Sequence, residues 1–289
     1  MEEQTLDLTE LICDSINSIF FKFFSSIDNT IYSNLDSILF INSDITNNLK
    51  LQQFFGDNST NGLLIIVNSL IIGLVLFYIL NFTVSHLIYT KVDSPYQFIF
   101  KSIIFIGCSY SSFWICSKTI KFTSLITDLI KKIGQGITGY EISFTNLIDN
   151  INSSLYTSLQ ILDIFSFDGL LKFCTTLITI YILIFFSIRY ITCILLILMS
   201  PFSFLSLVNN TFDGFFKGWI KEFLELLFTQ LIVSLLLVIS FCIDFNSENI
   251  ISKISYFSLL LLIAKCRLKT KSIFSELFKY SNNKLKDIV

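Results

Sequence analysis

The sequence predicts an all-helical, polytopic integral membrane protein with five, or alternatively six, transmembrane helices. Hydrophobic residues occupy 53% of the 289 positions and charged residues only 15%, whereas charged residues make up about a quarter of a soluble domain. Several stretches reach the roughly 20 apolar residues that cross a hydrocarbon layer about 30 Å thick. No stretch sustains the alternation of a β-strand, so helices are the predicted way to satisfy backbone groups within lipid.

Residues 1–61 are predicted to form an acidic, amphipathic N-terminal helical region. They contain nine acidic residues and two lysines. After Leu8, apolar residues such as Ile12, Ile16 and Ile19 recur at helical spacing opposite a polar face. This pattern is typical of a helix that lies on the membrane surface or packs against a partner.

Residues 62–117 are predicted to contain the first two transmembrane helices. The stretch 62–87 carries no charged residue, and the stretch 98–116 carries only Lys101, near its start. Both are long enough to cross the bilayer as helices.

Residues 118–168 are predicted to form a large amphipathic helical loop. Apolar residues recur at helical spacing in two runs, 122–133 and 144–162. Three glycines between the runs are expected to supply a bend: Gly134, Gly136 and Gly139.

Residues 169–264 are predicted to form the transmembrane core. The stretch 226–243 is an uncharged span, and the apolar stretch 173–208 is interrupted only by Arg189 and Pro201. The longer stretch decides the topology, because it is long for one span and short for two spans with a turn.

Two topologies follow from this stretch. One long tilted helix, broken near Pro201, gives five spans and places the N-terminus outside. A tight turn at Arg189 gives six spans and places the N-terminus inside. The available length favours five spans, whereas the distribution of lysines between the two sides favours six.

The C-terminal part completes the predicted bundle. Residues 254–264 form a short apolar segment, joined to the preceding span by a link at 244–249 that suits a helical hairpin. The tail, residues 265–289, contains seven basic and two acidic residues. Basic flanks of membrane spans are retained in the cytoplasm, so we expect a cytoplasmic tail.

Five residues of the core are candidate structural or channel residues: Arg189, Pro201, Gly218, Trp219 and Gln230. An arginine in the bilayer costs at least about 2.5 kcal/mol, so Arg189 either faces a polar pore or another subunit, or lies at a turn or interface. Pro201 is expected to end or kink its helix. Trp219, in a connector rich in glycine and aromatic residues, is expected at the headgroup level. Gln230 is expected to bond across helices, for about 1 kcal/mol.

The sequence indicates no enzymatic, metal or cofactor site. His86 is the only histidine, which is too few for a histidine metal cluster or a catalytic triad. The seven cysteines form no CxxC pair. Motifs for nucleotide binding, zinc proteases or serine hydrolases are missing, so any work the protein supports is expected to be powered elsewhere.

The stretch 170–241 resembles a known family. A long apolar helix carries Arg189, a break is predicted at Pro201, and a connector ending in Gly218 and Trp219 precedes a span that contains Gln230. This order is similar to that of the TrbL-like polytopic channel proteins of type IV secretion and conjugation systems. Family members are usually rich in Ala and Gly at helix contacts, whereas this chain has Phe, Ser and Ile in that region.

The resemblance implies a function and partners. The protein would be a non-enzymatic, oligomeric channel or scaffold subunit in a bacterial cell membrane, supporting the transfer of DNA with its bound protein between cells. Its implied partners are membrane lipid, other secretion subunits including cytoplasmic ATPases, further copies of itself and, transiently, the transferred DNA. The alternative is a self-contained transporter or permease, for which only Arg189 and Pro201 suggest a site at the bilayer midplane.

Overall fold

The computed structural model describes residues 2–42, 44–56, 62–88, 94–155, 166–209, 212–242 and 250–286. Within these ranges all regular secondary structure is helical, which confirms the predicted fold class. The helices are α1 (Glu2–Leu39), α2 (Asp44–Asn47), α3 (Leu49–Phe55), α4 (Leu63–Ile88), α5 (Pro95–Thr138), α6 (Phe144–Leu155), α7 (Phe167–Ser206), α8 (Asp213–Cys242) and α9 (Ile250–Lys286).

Four helices of the described chain are long and apolar enough to cross a membrane, namely α4, α5, α7 and α8. The protein is therefore a multi-pass membrane protein by the length and composition of its helices. The predicted fifth span, 254–264, lies within α9, which continues without interruption into the basic tail, and it stays a prediction. The hairpin link predicted at 244–249 lies outside the described residues.

Helix α5 is longer than the span predicted within it. It contains 44 residues, so it extends for about 66 Å at roughly 1.5 Å per residue. The predicted loop therefore begins as a continuation of the second span rather than after it. The helix ends at Thr138, and the next residue, Gly139, has a φ of 74°, as is usual for a glycine just after a helix C-terminus. Gly134 and Gly136 lie within the helix, so the predicted bend falls on Gly139 alone.

Helix α7 passes through both residues that were expected to interrupt it. It runs for 40 residues with Pro201 inside it. The prediction of a tight turn at Arg189, which the six-span topology requires, is therefore wrong. Pro201 was expected to end or kink its helix; it does not end it, and the kink stays a prediction. The second amphipathic run is α6, and its last predicted positions, Leu159 and Leu162, lie outside the described residues.

The described chain forms two compact units. The first unit contains Met1–Phe40, Leu125–Arg189 and Thr229–Lys271, and the second contains Ile41–Ser124, Tyr190–Phe228 and Ser272–Val289.

The first unit is organised around the C-terminal end of α1. Leu35 and Leu39 of α1 pack in one buried cluster with Phe144 and Leu147 of α6 and with apolar residues of α7, α8 and α9. Asp36 of α1 also accepts hydrogen bonds from the backbone amides of Phe144 and Thr145, at 3.0 and 3.3 Å, and from the Thr145 hydroxyl at 2.8 Å. A carboxylate at the first amides of α6 satisfies donors that have no partner within the helix.

In the second unit, α5 and α7 each carry buried serines. Ser109 and Ser112 on α5 and Ser200 and Ser203 on α7 are all fully buried. The hydroxyls of Ser112 and Ser203 have no hydrogen-bond partner among the described residues, so these two serines serve as small side chains. Small residues allow membrane helices to approach closely.

Helix α4, also in the second unit, presents apolar side chains over most of its surface. Only Leu64, Val67 and Ser85 are buried along its 26 residues. A helix that is apolar on nearly all sides suits contact with lipid.

Candidate functional site

The guanidinium of Arg189 lies inside the first unit. Its side chain has an exposed fraction of 0%, and its Nη1 donates a hydrogen bond to the backbone carbonyl of Leu39 at 2.9 Å. The ring of Phe186, on the same helix, lies 5.4 Å from the guanidinium carbon. This permanent charge is therefore enclosed by protein.

The carbonyl of Leu39 is a favourable acceptor because Leu39 is the last residue of α1. The last carbonyls of a helix have no acceptor role within the helix, and they carry the negative end of its dipole. Arg189 thus supplies both a donor and a positive charge at the point where α1 ends. This contact explains why α7 can keep an arginine within a long apolar helix.

Gln230 of α8 continues the network from Arg189. Its Oε1 accepts from Arg189 Nη2 at 3.4 Å, and its Nε2 donates to the hydroxyl oxygen of Thr127 on α5 at 3.2 Å. Both Gln230 and Thr127 are buried. The amide is oriented so that its acceptor faces the cation and its donor faces the hydroxyl. Four helices of the first unit, α1, α5, α7 and α8, are therefore joined through two side chains that the sequence analysis had singled out.

Lys172 forms a second buried cationic contact, which the sequence analysis missed. Its side chain is almost fully buried, its Nζ donates to Asn152 Oδ1 at 2.6 Å, and it lies 5.7 Å from the ring centre of Phe24. Lys172 contacts Phe24, and Arg189 contacts Leu39. The earlier residue of α7 therefore contacts the earlier residue of α1, and the later contacts the later. The two helices therefore run side by side in the same direction, with a cation of α7 at each contact.

Pro201 lies in the second unit, where hydroxyl groups adapt α7 to the proline. Proline has no backbone N–H, so it cannot bond the Ile197 carbonyl as a helical residue would. The hydroxyl of Ser200 donates to that carbonyl at 2.6 Å, and the hydroxyl of Ser109 on α5 donates to the Pro201 carbonyl at 2.7 Å. These contacts explain how the helix continues to Ser206.

Trp219 is buried in the second unit. Its Nε1 donates to the carbonyl of Leu196 on α7 at 2.8 Å, and its ring stacks on Phe223 with centroids 5.4 Å apart. A carbonyl of α7 supplies the partner that the indole N–H needs when it is buried, and the expected headgroup level of Trp219 stays a prediction. Gly218 is exposed, and a Cβ added there would meet no described atom within 4 Å. The structure gives no packing reason for this glycine.

The five predicted residues therefore fall into two places. Arg189 and Gln230 contact each other in the first unit, while Pro201, Gly218 and Trp219 belong to the second. Among the described residues, no group of three or more His, Cys, Asp or Glu side chains could hold a metal ion. His86 is exposed and lies 6.3 Å from the ring of Phe82. The chemistry of the Arg189 network is that of hydrogen bonding between helices.

Comparison with known proteins identifies no family for this chain. The sequence matches no protein-family model and no curated protein.

Proposed function

We propose that this chain is a non-enzymatic channel or scaffold subunit in the membrane of a bacterial cell, and that it belongs to a conjugative type IV secretion system. One observation carries the proposal. Arg189 is fully buried in an apolar helix, and it uses its donors on the end of α1 and on Gln230. A residue in this position holds a helical bundle together. The resemblance to TrbL-like proteins, carried by the order of Arg189, Pro201, Trp219 and Gln230, is what links this bundle to a type IV secretion system.

The enclosure of Arg189 favours a scaffold over the alternative of a self-contained transporter. A transporter site must reach water from each side of the membrane in turn. The exposed fraction of Arg189 is 0%, and its guanidinium contacts a backbone carbonyl and a side-chain amide of its own chain. These are contacts that fix helices in place rather than contacts that bind and release a solute.

The proposed partners follow from the same context. Separate cytoplasmic ATPases would supply energy, and the basic tail, 265–289, would face them from the cytoplasm. The acidic N-terminus would lie outside in a five-span topology. Several copies of the chain would surround the path of the DNA and its bound protein, with lipid against helices such as α4.

A transfer assay tests this proposal. In cells that carry the element encoding this chain, deletion of its gene is expected to abolish conjugative transfer and to leave growth and solute uptake unchanged. Arg189→Leu is expected to lower transfer strongly while the protein is still found in the membrane. Lys132→Leu is the matched control, because Lys132 is an exposed cation of the first unit. Normal transfer after gene deletion would refute the proposal, and a loss of solute uptake would favour the transporter.

The proposed topology has its own test. Reporters that are active on only one side of the membrane are fused to the N-terminus or the C-terminus. We expect an external N-terminus and a cytoplasmic C-terminus. Two termini on the same side would overturn the five-span arrangement.

A further inference from the structure

The C-terminal half of α1 lies beside the first half of α7 and ends near the middle of that helix. Phe24 of α1 lies near Lys172 of α7. At the end of α1, the carbonyl of Leu39 accepts from Arg189, so the two helices run together for about 22 Å at roughly 1.5 Å per residue. Arg189 is close to the centre of the apolar stretch 173–208, and α7 is long and apolar enough to cross a membrane. The end of α1 therefore lies deep in the bilayer.

Helix α1 is too polar to cross the membrane itself. It is not one of the four described helices that are long and apolar enough to do so, and residues 25–37 contain nine Ser, Thr, Asn or Asp residues. Phe40, the residue after α1, is buried, and membranes tolerate the end of a helix where protein encloses it. Polar residues of a helix that ends within the bilayer need protein or water around them.

A charged cavity of about 380 Å³ lies beside this end of α1, within the first unit. Its lining includes Asp36, Asp128, Lys131, Gln135 and Glu141. Asp36 is one turn before the end of α1, and Asp128 directly follows the threonine of α5 that belongs to the buried network joining α5, α7 and α8. The cavity therefore reaches the depth of that network.

Water is the filling that suits this cavity. Carboxylates and ammonium groups are costly in hydrocarbon, and ionisable residues at membrane depth face a bundle interior or a water-filled space. Asp36 uses both carboxylate oxygens at the start of α6, and the Nζ of Lys131 lies 3.3 Å from the ring centre of Phe40. Asp128 and Gln135 are exposed, and the cavity they line is large and polar enough for several water molecules.

Helix α5 has two different exposed faces at this level. Asp128 and Gln135 lie on one face, two turns apart. Leu125, Leu129 and Ile133 lie on another face, with exposed fractions of 54%, 57% and 63%. A helix that exposes a polar stripe and a separate apolar stripe borders water on one side and hydrocarbon on the other.

The far end of the cavity points towards the start of α7. Along α5 the cavity runs towards the linker between α5 and α6, and the C-terminal part of α5 lies against Val238 of α8. The hydroxyl of Tyr256, in the first turns of α9, donates to the carbonyl of Ser240, near the end of α8. Lys253, also near the start of α9, pairs with Asp168 at the start of α7 at 2.7 Å. The ends of α5 and α8 and the starts of α7 and α9 therefore lie together.

We propose that the first unit contains a water-filled vestibule, which enters the bilayer between α1 and α5 at the end where α7 begins and stops at the buried network of Arg189 and Gln230. Its contents are water and small hydrated ions. The vestibule requires only that α7 crosses the membrane. Its opening on the outer side rests on the five-span topology proposed above, and neither depends on the secretion function.

Thiol labelling of the full-length protein tests the vestibule. Asp128→Cys and Gln135→Cys place a thiol on the cavity, whereas Leu129→Cys and Ile133→Cys place one on the apolar face of the same helix at the same depth. A membrane-impermeant maleimide is added, and its reaction is followed by peptide mapping at each introduced cysteine, so that the native cysteines can stay. Because the thiolate is the reactive form and is disfavoured in apolar surroundings, the cavity positions are expected to react about tenfold faster or more.

The possible results separate the vestibule from its alternatives. Equally fast labelling of all four variants would place this part of α5 in bulk water, and equally slow labelling would place it wholly in lipid. Either result would overturn the vestibule. Faster labelling of the cavity positions in intact cells is the result expected from the five-span topology. The same preference seen only in inverted membrane vesicles would overturn that topology and leave the vestibule standing.

A second measurement avoids cysteine chemistry. An environment-sensitive fluorescent amino acid is introduced at position 135 or at position 133 of the protein in reconstituted vesicles. Iodide, which stays in water, is expected to quench the probe at position 135 more strongly, and a nitroxide carried on a lipid acyl chain is expected to quench the probe at position 133 more strongly. The same quenching pattern at both positions would count against a water-filled face beside a lipid-facing one.

Discussion

Replacement of Gly134 by alanine is expected to destabilise the first unit, because α8 lies against this glycine. A Cβ built at Gly134 would lie 2.5 Å from Cγ2 and 3.1 Å from Cγ1 of Val238, and 3.2 Å from Cγ1 of Ile142. Gly136, two residues further along the same helix, is exposed, and a Cβ built there would meet nothing within 4 Å. The two glycines of α5 therefore provide a test site and a matched control in the same helix.

The two substitutions are expected to change the free energy of unfolding in opposite directions. An added methyl group in a well-packed region costs about 1–3 kcal/mol, while alanine in a helix is favoured over glycine by about 0.5–1 kcal/mol. Gly134→Ala should therefore lower the free energy of unfolding by about 1 kcal/mol, and by at most about 2.5 kcal/mol, once both effects are included. Gly136→Ala should raise it by about 0.5–1 kcal/mol, since only the second term applies.

The assay is equilibrium unfolding by SDS titration of the protein in mixed micelles. A third variant identifies the cause: Val238→Ala removes both methyl groups that the new Cβ would meet. In that background, Gly134→Ala should cost much less than it does alone, because the two changes share one contact and are not additive. If Gly134→Ala and Gly136→Ala were equally stable, the close packing of α5 on α8 would be refuted.

Three further predictions concern the polar contacts. Gln230→Leu should lower the free energy of unfolding by about 1–2 kcal/mol, and a double-mutant cycle with Thr127→Val should give a coupling energy of roughly 0.6 kcal/mol, as is usual for hydrogen bonds between membrane helices. Trp219→Phe should cost about 0.5–1.5 kcal/mol, because it removes the hydrogen bond to Leu196 and keeps most of the ring. Asp36→Ala should reduce the hydrogen-exchange protection of α6, since the first amides of that helix lose their acceptor.

Exposed residues of the same types serve as controls for these variants. Gln135→Leu and Asp128→Ala change exposed positions of α5 in the first unit, and each should change stability by less than about 0.5 kcal/mol. If Gln230→Leu lowered the free energy of unfolding as little as Gln135→Leu does, the proposed role of the hydrogen bonds of Gln230 would be contradicted. Unchanged exchange of α6 in Asp36→Ala would contradict the helix cap.

The sequence predicted the helical membrane class because that class depends on the length and composition of apolar stretches, which can be read directly. It predicted the ends of α5 and α7 poorly. Hydropathy marks where apolar residues stop, whereas a helix continues for as long as its backbone is satisfied. The lysines after Cys116 are compatible with helix. The loss of a backbone donor at Pro201 is offset by the hydroxyl of Ser200, which donates to the Ile197 carbonyl.

The candidate site was predicted in its residues but not in its contacts. Gln230 could be recognised because an amide within an apolar span needs a partner in a neighbouring helix. The contact between Arg189 and Leu39 could not be predicted from the sequence. The acceptor is the backbone carbonyl of Leu39, and every residue has such a carbonyl. The partner of Trp219 could not be predicted for a similar reason, since it is the carbonyl of Leu196. Side-chain types reveal which groups need partners, and only the fold reveals which backbone atoms supply them.

The end of α1 depends on a part of the chain that the ribosome makes much later. Leu39 and Arg189 are 150 residues apart in sequence, a delay of roughly 8–30 s at the usual rates of translation. Until α7 has emerged, α1 lacks the cation that contacts its last carbonyl. A nascent chain released before Arg189 is made would lack the hydrogen bond from Arg189 to the carbonyl of Leu39. This one contact distinguishes the end of α1 in a truncated chain from the same end in the full-length chain.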